Sequence, residues 1–301
     1  MAMRLAALSL ILTAATGCAP RVAGLRRLPL EFEGRACHYE LHVPESLAPR
    51  EPVPLLLALH RWLESGQAMA YMTRFNEIAD REGFIVAYPN AAGGSWDTFG
   101  GEYRDDVRFV LAVIEAVAAA HPVDRGRIYV TGASNGGFMT HLLACTEPDT
   151  FAAAAPVKGL MPAALAEEHP SGPPMPILII HGTRDGVVPY DARRVLGART
   201  LTVDEGVAYW AARNGCDPAP VVEQLEDRDP GDKTRVTVDR YPGGAAPVVL
   251  YRVEGAGHTW PGGREPSLGV FTGRMSHDIE ASEVIWEFFA AHRRDHAPSA
   301  R

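Results

Sequence analysis

A serine set between two glycines, Gly132-Ala133-Ser134-Asn135-Gly136, constrains this chain more than any other feature. It follows the β-rich run Arg127-Ile128-Tyr129-Val130-Thr131 and precedes a helix-compatible run over 138–145. The passage is therefore expected to be a strand that enters a helix through a turn too tight for side chains at its flanks. Glycine at 132 and 136 lets backbone and neighbouring strands come close there. Ser134 is predicted to stand at the tip of a sheet with its Oγ exposed. The free N–H groups of the following helix would point at the same spot and favour negative charge developing there. Because 29 glycines make such a pattern easy to find by chance, the rest of the chain must decide between a nucleophile and an ordinary turn.

The surrounding pattern fits a sheet able to carry such a turn. Residues 53–59, 84–88, 151–157 and 177–180 are short apolar runs, the signature of strands covered on both faces. Residues 75–82 read as helix, and 105–120 as an amphipathic helix with Phe109, Val113, Ile114 and Val117 on one side. Thr202 and Glu205 form a capping box for a helix running to about Asn214. Strands are expected at 37–43, 236–241 and 248–253, and Ser276 is expected to cap a last helix ending near His292. Alternating strands and helices imply an α/β fold, a mostly parallel central sheet with helices on both faces. No repeat or second core is visible, so 31–292 reads as a single catalytic-size domain and 293–301 as a disordered tail.

Charge and the N-terminus narrow the setting. A net charge of −8 without a Lys/Arg-rich block excludes nucleic acid as the expected partner. Arg4 and the apolar stretch 5–15 form a signal segment too short for a mature membrane span. It ends at Ala15-Thr16-Gly17-Cys18, similar to a bacterial lipobox although leucine is more usual where Ala15 stands. Residues 1–18 are thus expected to direct export, with lipidation at Cys18, and 19–30 to form a tether. The protein is expected to be secreted, periplasmic or at the cell surface, touching membrane only through that lipid. Export permits disulfides, but Cys37, Cys145 and Cys216 are an odd number and the sequence does not choose a pair. Paired metal-ligand spacing is absent, so neither metal nor cofactor is expected. The sequence carries no signal for oligomeric state.

A serine hydroxyl needs a base, and the base needs an acid to orient it. The strand–turn–helix serine resembles the nucleophile elbow of α/β-hydrolases, in which the acid and then the histidine follow in chain order. Asp185 stands just beyond the buried run 177–180, in His181-Gly182-Thr183-Arg184-Asp185. His258 lies in the glycine-rich stretch Gly255-Ala256-Gly257-His258-Thr259-Trp260 after the last strand. His60 and His181 come too early in the chain to be that histidine, and His277 and His292 are expected at the surface. Backbone N–H groups of Asn135 and of Trp62, after the early strand, are the candidate oxyanion donors.

The chain resembles the esterase family of poly(3-hydroxybutyrate) depolymerases, feruloyl esterases and acetylxylan esterases. The motifs that carry the resemblance are Leu57-Ala58-Leu59-His60, Gly83-Phe84-Ile85-Val86-Ala87-Tyr88-Pro89, Ser95-Trp96, Asp105-Asp106-Val107, the Ser134 turn, His181-Gly182-Thr183, Trp210 to Cys216 and Gly257-His258-Thr259-Trp260-Pro261-Gly262. They run from about residue 35 to the last helix. The resemblance implies a serine carboxylic-ester hydrolase acting through an acyl-enzyme on a polyester or an acylated polysaccharide, with catalytic residues Ser134, Asp185 and His258 and no cofactor. A serine peptidase on the same fold, or a non-catalytic surface lipoprotein, are the alternatives.

Three departures stand out. The family usually has glycine where Arg61 and Arg108 stand, and a cysteine near Gly243-Gly244 that would partner Cys216 is missing, so that bridge is not expected. Arg61 beside the oxyanion turn suggests a dock for a substrate carboxylate, against a plain solvent-facing arginine. Trp96 and Trp260 are expected either to line a substrate groove or to pack beneath the loops.

Overall fold

The computed structural model describes residues 20–47, 51–99, 103–265 and 272–294. The expected signal segment, the candidate lipidation residue Cys18 and residues 295–301 of the expected tail lie outside these. None of the described helices is long and apolar enough to cross a membrane.

Among the described residues, twelve strands organise the fold: β1 (Leu25–Phe32), β2 (Arg35–His42), β3 (Val53–Leu59), β4 (Ile85–Pro89), β5 (Val123–Ala133), β6 (Ala153–Val157), β7 (Ile177–Gly182), β8 (Arg194–Val195), β9 (Ala198–Arg199), β10 (Val221–Gln224), β11 (Arg235–Tyr241) and β12 (Val248–Glu254). Ten of them form one sheet in the order β1-β2-β4-β3-β5-β6-β7-β12-β11-β10, and β8 and β9 form a separate hairpin. The six central strands, β4 through β12, are parallel. The edge strands pair antiparallel, β1 and β2 on one side and β11 and β10 on the other.

The helices are α1 (Gly66–Thr73), α2 (Phe75–Glu82), α3 (Tyr103–Ala120), α4 (Asn135–Thr146), α5 (Ala163–Glu168), α6 (Val203–Asn214) and α7 (Ala281–Ala290). They cover both sheet faces, and the two-residue period of a strand shows how. Leu55, Leu57 and Leu59 of β3 pack into a core with α3, α4 and α6, whereas Leu56 and Ala58 pack into a second core with α1, α2 and α7. All seven residues of β3 are buried. This is the α/β fold with a mostly parallel sheet that the sequence implied.

Parts of the expected layout need correction. The second half of the proposed tether belongs to strand β1: Leu25–Phe32 mixes half-buried and exposed residues and pairs with β2 along its length. Ser276 does not cap the last helix; it accepts a hydrogen bond from Thr234 Oγ1 at 2.8 Å, and α7 begins after Glu280 without a side-chain cap. The start of the tail is also fixed, since Arg294 N–H donates to Gly126 O (2.9 Å) and Arg293 pairs with Asp124. The Thr202–Glu205 capping box is as expected, and the helix ends at Asn214 with Gly215 as its left-handed C-cap.

Candidate active site

The turn after β5 has the predicted geometry. Ser134 sits at φ 55, ψ −117, a backbone conformation that stores strain in a residue other than glycine. A Cβ on Gly132 would strike the Gly136 carbonyl, and one on Gly136 the Leu59 carbonyl of β3. Ser134 N–H donates to Val157 O at the end of β6 (2.9 Å), so two neighbouring strands hold the turn.

Asp185 follows β7 by three residues, and His258 follows β12 by four. These strands are parallel neighbours, so both residues leave the same edge of the sheet as Ser134. His258 Nδ1 donates to Asp185 Oδ2 at 2.7 Å. The other carboxylate oxygen, Oδ1, accepts the N–H groups of Val187 (2.9 Å) and Val188 (2.8 Å). Burial alone would raise the Asp185 pKa; the His258 partner and these N–H groups outweigh it and bring it down to about 2. Burial lowers the His258 pKa, with Lys158 and Arg61 adding to the effect while Asp185 opposes it. Burial thus favours the neutral imidazole, and with Nδ1 bonded to Asp185 the Nε2 atom is the one available to accept a proton. Among the described residues, Ser134 Oγ and His258 Nε2 make no hydrogen bond to each other.

The rival histidines have structural duties. His60 Nδ1 donates to Arg61 O (2.7 Å) and its Nε2 accepts the Ala91 N–H (3.0 Å), which braces the turn after β3. His181 Nε2 donates to Val188 O (2.9 Å) and steadies the loop of Asp185. His141 accepts the Trp210 indole N–H (3.1 Å).

A cavity of about 760 Å³ opens beside Ser134 and Asn135. Trp62, Trp96, Phe99, Phe138 and Val188 contribute to its walls, and the β8–β9 hairpin overhangs it with Leu196 at the tip. The N–H groups of Trp62 and Asn135 have no acceptor among the described residues and remain free for an oxyanion. The Asn135 side chain instead clamps the Trp96 loop, its Oδ1 accepting Trp96 N–H (2.7 Å) and its Nδ2 donating to Trp96 O (3.0 Å).

The structure bears on three further sequence expectations. Trp96 lines the cavity as one reading held, while its indole N–H donates to His60 O (3.0 Å). Trp260 does not line it: the ring is 1% exposed, packs edge-on against Phe75 and donates to Ser282 Oγ. Arg61 is no free dock for a substrate carboxylate, because Glu64 and Glu265 already hold its guanidinium and raise its pKa against the effect of burial. Arg108 is a surface residue paired with Glu33 and Asp105. Cys37, Cys145 and Cys216 are all free thiols. Sequence reading missed Lys158 and Glu265, which meet at the site from separate loops.

Comparison with known proteins agrees with this picture. Residues 37–169 match the family model described as Esterase PHB depolymerase. The chain is 31% identical over 275 residues to the putative esterase NocK of Nocardia uniformis subsp. tsuyamanensis, covering 85% of this chain and 79% of that one. It is 27% identical over 268 residues to a probable feruloyl esterase C of Aspergillus niger, covering 87% and 86% of the two chains. In fold it resembles the acetyl xylan esterase from Aspergillus awamori, with a TM-score of 0.64 at 19% identity over 88% of this chain and 98% of that one. The chain belongs to the Esterase PHB depolymerase family, a family of serine esterases on the α/β-hydrolase fold.

Proposed function

We propose that Ser134, His258 and Asp185 form the catalytic triad of this serine esterase. The observation that carries the reading is the 2.7 Å bond from His258 Nδ1 to Asp185, made at the strand edge where the strained Ser134 turn faces a large cavity. In the reaction, Ser134 Oγ attacks the ester carbonyl carbon as His258 Nε2 takes its proton. Asp185 keeps the imidazole in the correct tautomer and stabilises the imidazolium. The N–H groups of Asn135 and Trp62 receive the oxyanion. His258 then gives its proton to the leaving alcohol, and the same imidazole activates the water that cleaves the acyl-enzyme. The serine-to-histidine contact closes as substrate binds, as catalytic hydrogen bonds often do.

The mainly apolar cavity suits an ester with an apolar or aromatic group beside the scissile bond. Feruloyl esters and poly(3-hydroxyalkanoate), which appear in the names of two of its relatives, both fit that description. We further propose that residues 1–18 direct export, that Cys18 carries the lipid, and that 31–292, together with strand β1, form one catalytic domain. What supports the first two is the apolar segment ending at Ala15-Thr16-Gly17-Cys18. Mass spectrometry of the mature N-terminus tests them.

A fluorophosphonate probe tests the triad. Labelling of the wild type that is lost in Ser134→Ala, with turnover reduced by roughly three or more orders of magnitude and the fold retained, is the expected outcome. Undiminished turnover in that variant would overturn the assignment.

A further inference from the structure

Lys158 bears two penalties at one position. It follows β6 with φ 54, and its side chain is 1% exposed with no hydrogen-bond partner for Nζ. Strained backbone and a buried charge each destabilise a fold, and such features concentrate where they serve a site. The nearest acid is Glu265, whose Oε1 lies 3.7 Å from Nζ.

Three segments distant in sequence converge on that one oxygen. Glu265 Oε1 accepts the Trp260 N–H at 2.8 Å and an Arg61 Nη1–H at 3.2 Å, with the Lys158 ammonium beside it. Glu64 fixes the other side of the guanidinium, with Nε donating at 2.9 Å and Nη2 at 2.7 Å. The side chain of Glu265 is 6% exposed and that of Arg61 15%, so water screens these charges weakly. The cluster joins the His258 loop to the turn after β3 that carries Trp62. It also joins that loop to the end of β6, where Val157 O holds the Ser134 N–H. The His258 loop is also tied to other segments, by Gly257 N–H to Arg274 O, His258 N–H to Thr272 O, Gly262 N–H to Ser276 O, Arg184 N–H to Ala256 O and Arg264 N–H to Met72 O.

We propose that Glu265 is a positioning residue for the histidine base, held in place by Arg61 and Lys158, and that this cluster sets the reach of His258 toward Ser134. The inference rests on His258 being the base. Arg61, where the family usually has glycine, then belongs to the alignment of the base and takes no part in holding substrate. The charged and titratable groups facing the imidazole are Asp185 and His181 from the β7 side, Lys158 after β6, Arg61 after β3 and Glu265 on its own loop. Removing a cation from this set makes the imidazolium easier to form.

The test measures kcat, KM and the rate of fluorophosphonate labelling against pH, using a neutral short-acyl nitrophenyl ester. Glu265→Ala is expected to lower kcat and labelling rate together by ~10- to 100-fold, with KM almost unchanged. Glu265→Gln keeps an acceptor for the Trp260 N–H and should recover part of the loss. The double variant Arg61→Met/Glu265→Ala should lose no more than the worse single variant, because the two residues act as one unit. Lys158→Met should move the acid limb of labelling up by about half a pH unit. Full kcat in Glu265→Gln with an unmoved acid limb in Lys158→Met overturns the proposal, even if Glu265→Ala does not fold. Losses confined to KM, or fully additive losses in the double variant, overturn it too. Failure of the probe to label the wild type would count against the serine-esterase reading instead.

Discussion

Gly244 lies directly against Cys216: a Cβ built on the glycine would overlap the cysteine sulfur. The family's cysteine near Gly243-Gly244 therefore has a ready place in this fold, although Cys216 is a free thiol here. Gly244→Cys should oxidise spontaneously to a bridge with Cys216. Gly244 is not at positive φ, so a side chain is tolerated, but Asn214 O at 2.9 Å requires a small backbone shift. By the loop-entropy estimate the gain is up to about 3.6 kcal/mol. A Tm rise that disappears on adding reductant, with a mass loss of about two hydrogens, is the check.

The depressed pKa of His258 fixes the direction of the pH response. Its ordinary value is 6.5, and burial with nearby Lys158 and Arg61 lowers it. The base form must be present for attack, so kcat/KM should rise with pH through a midpoint below 6.5 and be flat above it. A midpoint at or above 6.5 in a titration with a neutral ester would contradict this.

Lys158 should destabilise the fold at neutral pH. Burial brings its pKa from 10.5 down to about 8. The folded state then binds fewer protons than the unfolded state between these values, so stability rises with pH across that window. Below pH 8 the full penalty applies. Lys158→Met should therefore raise stability at pH 7 by a few kcal/mol, on the order of 3. Denaturant titrations at pH 7 and pH 10 should show the difference between the two proteins shrinking at the higher value.

Leu196 is 70% exposed at the tip of the β8–β9 hairpin, with φ 49, followed by Gly197 at φ 88. Two successive positive φ values suit Asn-Gly much better than Leu-Gly. Leu196→Asn should thus leave stability unchanged or raise it by about 0.5–1 kcal/mol. If the leucine serves the cavity mouth, the same change should raise KM for apolar esters several-fold at constant kcat. Paired measurements of Tm and KM decide the matter.

The sequence made some of this legible and hid the rest for physical reasons. The Ser134 turn could be read because its requirements are local: two glycines, a strand before and a helix after. Asp185 and His258 could be found because chain order and strand ends restrict where they stand. The Arg61–Glu265–Lys158 cluster could not, since its members are separated by as many as 204 residues and meet only through the sheet order. Strand β1 was hidden by Pro29 and its charged outward residues, which suit an edge strand as well as a tether. Strand β10 is exposed along its whole length, and its four residues, Val221-Val222-Glu223-Gln224, are too few to show an alternating pattern. Ser276 looked like a cap by position, but Thr234 claims its hydroxyl from across the fold.

The β8–β9 hairpin has only two residue pairs, Arg194 with Arg199 and Val195 with Ala198, and stands apart from the main sheet. The entrance ribbon is therefore built apart from the central parallel strands that root the reacting groups. Lengthening or recolouring this short ribbon would alter which acyl groups are admitted while hydroxyl, imidazole and carboxylate keep their alignment. Substrate range in such a molecule is free to drift at the doorway without disturbing the engine behind it.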